Sequence, residues 1–324
     1  MVGLRHRILA AAGAGLAALL CGCAASGPQL REFKVTGPAL ELPRVPYAAE
    51  DGHRGGPAAL AMALGAAGVP AAPSSLDDEI QRGEEQDDTR TAMVQAVLAR
   101  GLVPNVIKSP TVDLDVVREL RAGHAVVVLL YRGMLLRYWE YAVIVGVDPG
   151  ANTFVLHTGT HRHLVLDYPD LLAAWGDSDY WALVVSAPDD VPATVSPPQW
   201  LARAGDLERT GKPGQAMQAY LAATRRWPAE PLAWAALGRL RAAQHDLHGA
   251  TEAFIAALKL APGAAAIHAD FARVLRERQC ADQAQDEIGL AVAQERDPGR
   301  RAADERLQRE LDALAGPSVV CPLD

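Results

Sequence analysis

Three histidines fall close together in His157-Thr158-Gly159-Thr160-His161-Arg162-His163. In an extended chain His161 and His163 share a face, the arrangement by which paired imidazoles hold a metal. The intervening Gly159-Thr160 favours a hairpin, and no cysteine or carboxylate stands at ligand spacing inside the run. Two acidic stretches, Asp77-Asp78-Glu79 and Glu84-Glu85-Gln86-Asp87-Asp88, lack the regular oxygen spacing of a calcium loop and read as a solvated loop or helix face. The four cysteines are Cys21, Cys23, Cys280 and Cys321, so none lies near these groups in sequence.

A second constellation surrounds the apolar run that opens at Arg54-Gly55-Gly56-Pro57-Ala58-Ala59-Leu60-Ala61-Met62. The run closely resembles the Gln-x-x-x-x-Cys-Gly-Pro-Ala-Ala-Leu signature of papain-like bacterial cysteine peptidases, the bacteriocin double-glycine leader peptidases and their lipoprotein branch. In such a site a thiolate sits at a helix N-terminus, whose dipole lowers its pKa. A histidine from a later strand takes the thiol proton, and a glutamine amide donates to the oxyanion. The resemblance covers most of residues 46–186, including Trp175 and Tyr180-Trp181-Ala182-Leu183-Val184. It puts Gly55 at the cysteine position and Glu50 at the glutamine position. The family's His-Tyr-Ala-Val-Val-Val-Gly stretch corresponds to Glu140-Tyr141-Ala142-Val143-Ile144-Val145-Gly146, which puts Glu140 at the histidine position. Near the orienting position stand His157 and Thr158, with no aspartate or asparagine. His53 is near the site but has no nucleophile to activate. The resemblance therefore implies a degenerate site marked by Glu50, Gly55 and Glu140, with no catalytic residue. It also brings Glu50 and Glu140 close together. They then either accept hydrogen bonds from nearby amides, bind a cation with His157, or act as an acid–base pair.

The elements that must position these residues change in texture along the chain. Pro57–Ala67, Arg90–Arg100 and Leu114–Ala122 read as helices, with Pro57 suited to a first helical turn. Ala125–Tyr131, Tyr141–Val147, Thr153–His157, His163–Leu166 and Tyr180–Ser186 are short β-branched or aromatic runs separated by turns such as Asp148-Pro149-Gly150. Helices followed by antiparallel strands give an α+β domain over 46–188. A Pro-containing linker follows at 189–198.

The remainder repeats. Trp200 recurs as Trp234, Ala216 as Ala250 and Ala284, Tyr220 as Phe254 and Ile288, Ala223 as Ala257 and Ala291, and Pro228 as Pro262, every interval being 34 residues. This is the tetratricopeptide period, and Trp234, Leu237, Gly238, Ala250, Phe254, Ala257 and Pro262 fit its consensus. Small alanines let antiparallel helices approach, and the proline ends the second helix. An all-α array is expected over 199–316, its third repeat looser and 299–315 a capping helix, with a tail at 317–324. The repeat geometry puts Arg209, Arg239, Arg273 and Arg276 on or near the concave groove. There they either capture an acidic or C-terminal peptide segment or solvate an alanine-rich surface.

The N-terminus reads as a leader. Arg5, His6 and Arg7 precede an apolar stretch, Ile8 to Leu20, too short for a stable span. Leu20-Cys21-Gly22-Cys23 resembles the bacterial lipoprotein cleavage box, with Gly22 as the small residue before a lipidated Cys23; plain cleavage near Ala24-Ala25-Ser26 is the alternative. This assigns 1–22 to a signal peptide and 23–45 to a tether. By resemblance to other lipoproteins, Ala24 favours the outer membrane. An oxidising periplasm permits a Cys280–Cys321 disulfide; two free thiols are the other reading. The net charge of −8 gives no sign of nucleic-acid binding.

Together these readings describe a non-catalytic, periplasm-facing lipoprotein without a cofactor, held to the membrane by its lipid and binding a protein or peptide partner through its repeats. The alternatives are a cysteine-peptidase-like hydrolase with a different site and a carboxylate-based metal site.

Overall fold

The computed structural model describes residues 35–50, 55–80, 86–108, 112–133 and 136–313. The expected signal peptide, Cys21, Cys23, His53, Glu84, Glu85, Cys321 and the 317–324 tail lie outside the described residues. No helix among the described residues is long and apolar enough to cross a membrane.

The first domain is built on one antiparallel sheet. Its strands are β1 (Leu40–Glu41), β2 (Val103–Ile107), β3 (Val126–Arg132), β4 (Tyr138–Asp148), β5 (Thr153–Thr158), β6 (Leu164–Asp167) and β7 (Ala182–Ser186). They lie in the order β2-β7-β3-β4-β5-β6, with β1 added beside β4. Leu40 pairs with Val147, so the sheet takes its first strand from the stretch expected to be tether. Strand β2, Val-Pro-Asn-Val-Ile, carries a proline that argues against a central strand. It forms an edge, where the missing N–H costs least.

Helices α1 (Gly56–Ala66), α2 (Pro73–Ile80), α3 (Gln86–Ala99), α4 (Val112–Ala122) and α5 (Tyr168–Gly176) complete the domain. Every residue of α1 from Gly56 to Leu64 is buried, as expected of a helix apolar on all sides. Its side chains pack with Ile80, Met93 and Val97 and with one face of the sheet: Val127 and Leu129 of β3, Tyr141, Val143 and Val145 of β4, and Leu183 of β7. The pleat sends Glu140, Ala142 and Ile144 to the other face. Helices α4 and α5 contact β3, and their buried Leu120, Leu171 and Trp175 are absent from the α1 core. The α+β expectation therefore holds, with helices on both faces.

Seven further helices follow: α6 (Pro197–Arg209), α7 (Pro213–Arg226), α8 (Pro231–Ala243), α9 (Leu247–Leu260), α10 (Ala265–Glu277), α11 (Ala281–Gln294) and α12 (Pro298–Ala313). They form three hairpins and a terminal helix, and α6, α8 and α10 begin 34 residues apart. This is the tetratricopeptide array. The recurring Ala216, Ala250 and Ala284 are wholly buried, as are Phe254 and Ile288. A Cβ at Gly238 would meet the Phe254 ring at 3.0 Å, which explains a glycine inside a helix. The described residues form one compact unit. Leu98 and Val103 of the first domain share a core with Trp200, Ala204 and Leu207 of α6.

Candidate functional site

The site begins at the N-terminus of α1. Gly55 caps the helix in the left-handed region, at φ 60° and ψ 4°. A side chain at this position is strained by that backbone alone. A Cβ on Gly55 would also lie 3.0 Å from the Tyr141 carbonyl oxygen. The conformation and the space are both those of glycine.

Because Gly55 offers no capping side chain, Glu50 supplies one from upstream. The Ala58 N–H donates to Glu50 Oε2 over 2.9 Å. A carboxylate at this end of a helix meets the positive end of its dipole. Glu50 is itself held by backbone, its N–H donating to the Gly159 carbonyl over 3.0 Å. The Tyr47 hydroxyl donates to the same oxygen over 3.2 Å. Partial burial raises the Glu50 pKa above the ordinary carboxylate value, the Ala58 N–H opposes that rise, and the charge of Asp77 adds to it. The helix end that would bind a thiolate or an oxyanion thus carries an anion of its own.

Glu140 takes no part in this cap. It is buried on β4 and accepts from Arg132 Nη1 of β3 over 3.0 Å. The pleat sends it to the face opposite Tyr141, whose ring packs at the α1 N-terminus. Asp77, rather than Glu140, is the neighbouring charge that bears on Glu50. Glu50 and Glu140 engage different partners, the Ala58 N–H for one and the Arg132 guanidinium for the other.

The histidines likewise differ in their surroundings. His157 pairs across β4 with Val143 and so faces the α1 side, beside the Tyr47 ring at 5.8 Å. Burial lowers its pKa, and its Nδ1 is enclosed without a hydrogen-bond partner among the described residues. His161 lies in a tight turn in which Thr158 N–H donates to the His161 carbonyl over 2.8 Å. His163 reaches Glu41 at 3.5 Å on the surface. Among the described residues no group of three His, Cys, Asp or Glu side chains is placed to hold a metal. In the acidic stretch, Glu79 pairs with Arg100 at 2.9 Å.

An aromatic wall lies on the sheet face that packs against α1, the face of Tyr141 and Trp139. Tyr141 and Trp181 meet edge to face at 6.0 Å, and the Arg90 guanidinium lies 5.6 Å from the Trp181 ring centre. Tyr131 and Trp139 pair at 4.8 Å, with Arg137 stacked 4.1 Å from Tyr131. The odd-numbered period along β3 and β4 was the available signal.

In the array, the four arginines expected at the groove are engaged within the chain. Arg239 reaches Asp270 at 3.2 Å, Arg273 reaches Asp270 at 2.7 Å and Asp304 at 3.5 Å, and Arg276 reaches Glu310 at 3.2 Å. Arg209 pairs with Asp206. Arg239, Asp270, Arg273 and Asp304 make a continuous ladder from α8 across α10 to α12. Cys280, at the start of α11, is buried and disulfide-bonded; the other cysteines of the chain, Cys21, Cys23 and Cys321, lie outside the described residues.

The tetratricopeptide repeat family matches residues 197–240. No curated protein matches the chain by sequence. Among solved structures, the chain is similar to the peptidase domain of Streptococcus ComA, a bi-functional ABC transporter involved in a quorum sensing pathway. That likeness has 17% identity and a TM-score of 0.35, covering 43% of this chain and 96% of that one. It is also similar to a putative C39-like peptidase from Bacillus anthracis, with 12% identity and a TM-score of 0.38, covering 46% of this chain and 98% of that one.

Proposed function

We propose that this protein is a non-catalytic binding scaffold: a peptidase-like domain without its nucleophile, joined to a tetratricopeptide array that engages a protein or peptide partner. The observation that carries the reading is Gly55. The residue at the nucleophile position of the resemblance has no side chain and has a left-handed backbone, and Glu50 already fills the helix terminus beside it. Glu140, at the histidine position, is neutralised by Arg132. A thiol peptidase needs an activated sulfur and a base within reach of it, and neither residue type stands at these positions. The array supports the binding half of the reading, since stacked hairpins present an extended concave surface.

The anchored, periplasm-facing part of the proposal rests on the leader-like N-terminus and on the disulfide at Cys280, a bond that persists in oxidising compartments. Lipidation of Cys23 would attach the chain to the outer membrane.

The test is a peptide array probed with the purified full-length chain, beside an Arg239→Ala/Arg273→Ala variant. A parallel digest of the same peptides is read by mass spectrometry. Retention of a peptide class, weakened in the variant, with every peptide recovered intact, is the expected result. Cleavage that survives repurification of the chain would sink the proposal.

A further inference from the structure

The junction between the two domains is closed by a buried ionic knot. Glu119 of α4 is fully buried. Its Oε1 accepts from the Thr194 N–H over 2.7 Å and from the Thr194 hydroxyl over 2.5 Å. Its Oε2 accepts from the Ala193 N–H over 3.1 Å and hydrogen-bonds His124 Nδ1 at 2.8 Å. The second nitrogen of the same ring, His124 Nε2, bonds Asp190 at 3.0 Å. Arg118 adds a bond to the Ala193 carbonyl over 3.0 Å. With both ring nitrogens against carboxylates, His124 serves as a double donor, which is the imidazolium form.

Everything on one side of this knot belongs to the first domain, at the end of α4 and the start of β3. Everything on the other side belongs to residues 190–194. Directly beyond lie buried Val195 and then α6, whose cap closes when Gln199 accepts from the Ser196 N–H over 3.0 Å. The stretch that composition marks as a linker is therefore tied down at successive points. A fully buried carboxylate with four donors is not a surface ion pair; removing a partner leaves an uncompensated buried charge.

We infer that Glu119, His124, Asp190 and Thr194 form a latch that fixes the helical array onto the first domain, so that α6 leaves the domain only when the latch opens. The latch is independent of what the array binds. It holds any ligand in the concave groove at a set position relative to the α1 end of the first domain. The charged groups that face His124 are Glu119 from its own side and Asp190 from the junction. Around the same crevice α1 contributes Ala63 and Ala66, its C-cap Ala67 adds a third alanine, and β7 contributes Val185 and Ser186, none of them titratable. The latch thus responds to protons through its three titratable members, Glu119, His124 and Asp190.

Hydrogen exchange on the full chain, followed by mass spectrometry, tests this with Glu119→Gln, Thr194→Val and Asp190→Asn. In Glu119→Gln the amides of 190–200 should exchange at least tenfold faster than in the parent. Those of β3, β4 and α10 should be unchanged. The other two variants should move the same segment by a smaller factor. If Glu119→Gln unfolds the first domain altogether, Thr194→Val and Asp190→Asn carry the test. Unaltered exchange over 190–200 in both, or a rise spread equally through β3 and β4, overturns the inference.

Discussion

Two glutamates, Glu50 and Glu119, show how differently one side chain can be used in two regions of this molecule. Glu50 is half-buried at the α1 N-terminus, where Ala58 N–H is its hydrogen-bond donor and the charge of Asp77 bears on it, and its pKa is raised. Glu119 is enclosed at the domain junction. Burial by itself would raise its pKa, but the bonds from His124, Thr194 and Ala193 together lower it. The first carboxylate sits in a site that resembles a catalytic centre and is poorly compensated. The second sits in what composition calls a linker and is compensated fully. Perturbed ionisation marks functional sites and structural knots alike, and here the stronger hydrogen-bond network belongs to the joint.

Replacing the two glutamates by alanine is the most forceful way to break the comparison. Glu119→Ala should cost about 3–5 kcal/mol, because it strands His124 between α4 and the junction. Glu50→Ala should cost only about 0.5–2 kcal/mol, the range for loss of a helix cap. Denaturant unfolding of both variants measures the gap, and equal losses would erase the distinction.

Acidity sharpens it next. The folded pKa of His124 is raised from 6.5 to about 9 by its carboxylate bonds, which outweigh burial. Its contribution is therefore complete below pH 6.5 and is lost as pH rises through about 9. Glu119 and Asp190, both lowered, contribute above their unfolded values and lose that contribution as pH falls through their folded ones. Glu50, raised, has the opposite sign: the fold binds its proton more tightly than the unfolded chain, so stability falls as pH rises from 4.5 through the folded value. Thermal unfolding of Glu50→Gln between pH 4 and 8 should lose that falling limb. A parent-like profile would mean that Glu50 is not its source.

A smaller effect is expected at the cap. Gly55→Cys should destabilise by about 1–2 kcal/mol through the left-handed backbone. Its thiol should alkylate no faster than an ordinary exposed cysteine, since Glu50 repels a thiolate there. A fast-reacting, low-pKa thiol in that variant would reverse our account of the site. The smallest effect belongs to the array. Asp270→Asn breaks part-exposed pairs with Arg239 and Arg273 and should cost less than about 1 kcal/mol, read by the same denaturant titration.

The legible parts of the sequence were those governed by a period. The 34-residue recurrence placed α6 to α11 because each hairpin repeats one packing problem, visible at Trp200, Ala250 and Phe254. The run from Pro57 to Ala67 read as a helix because it is apolar almost without interruption. Strand β2 escaped notice because Pro104 contradicts strand character except at an edge. Strand β1 escaped because two residues carry no period. At the candidate site, the identities of Glu50, Gly55 and Glu140 were plain. The partners of the two glutamates, the Ala58 N–H and Arg132, were not, because the resemblance supplied only an alignment. The latch was illegible for a similar reason: Glu119 and Thr194 are 75 residues apart, and nothing local to either announces the other.

If the array binds as proposed, the arginine ladder would set terms for its ligand. Arg239 and Arg273 share Asp270, and Arg273 also serves Asp304, whose burial raises its pKa. An incoming carboxylate that takes either guanidinium leaves Asp270 or Asp304 short of its counter-ion, so acquisition of one negative charge exposes another. A zwitterionic or mixed-charge segment avoids that debt by delivering a cation to the carboxylate it displaces. Under the proposed binding role, the ladder would act as an exchanger of ion pairs, favouring guests that leave its count of charges balanced.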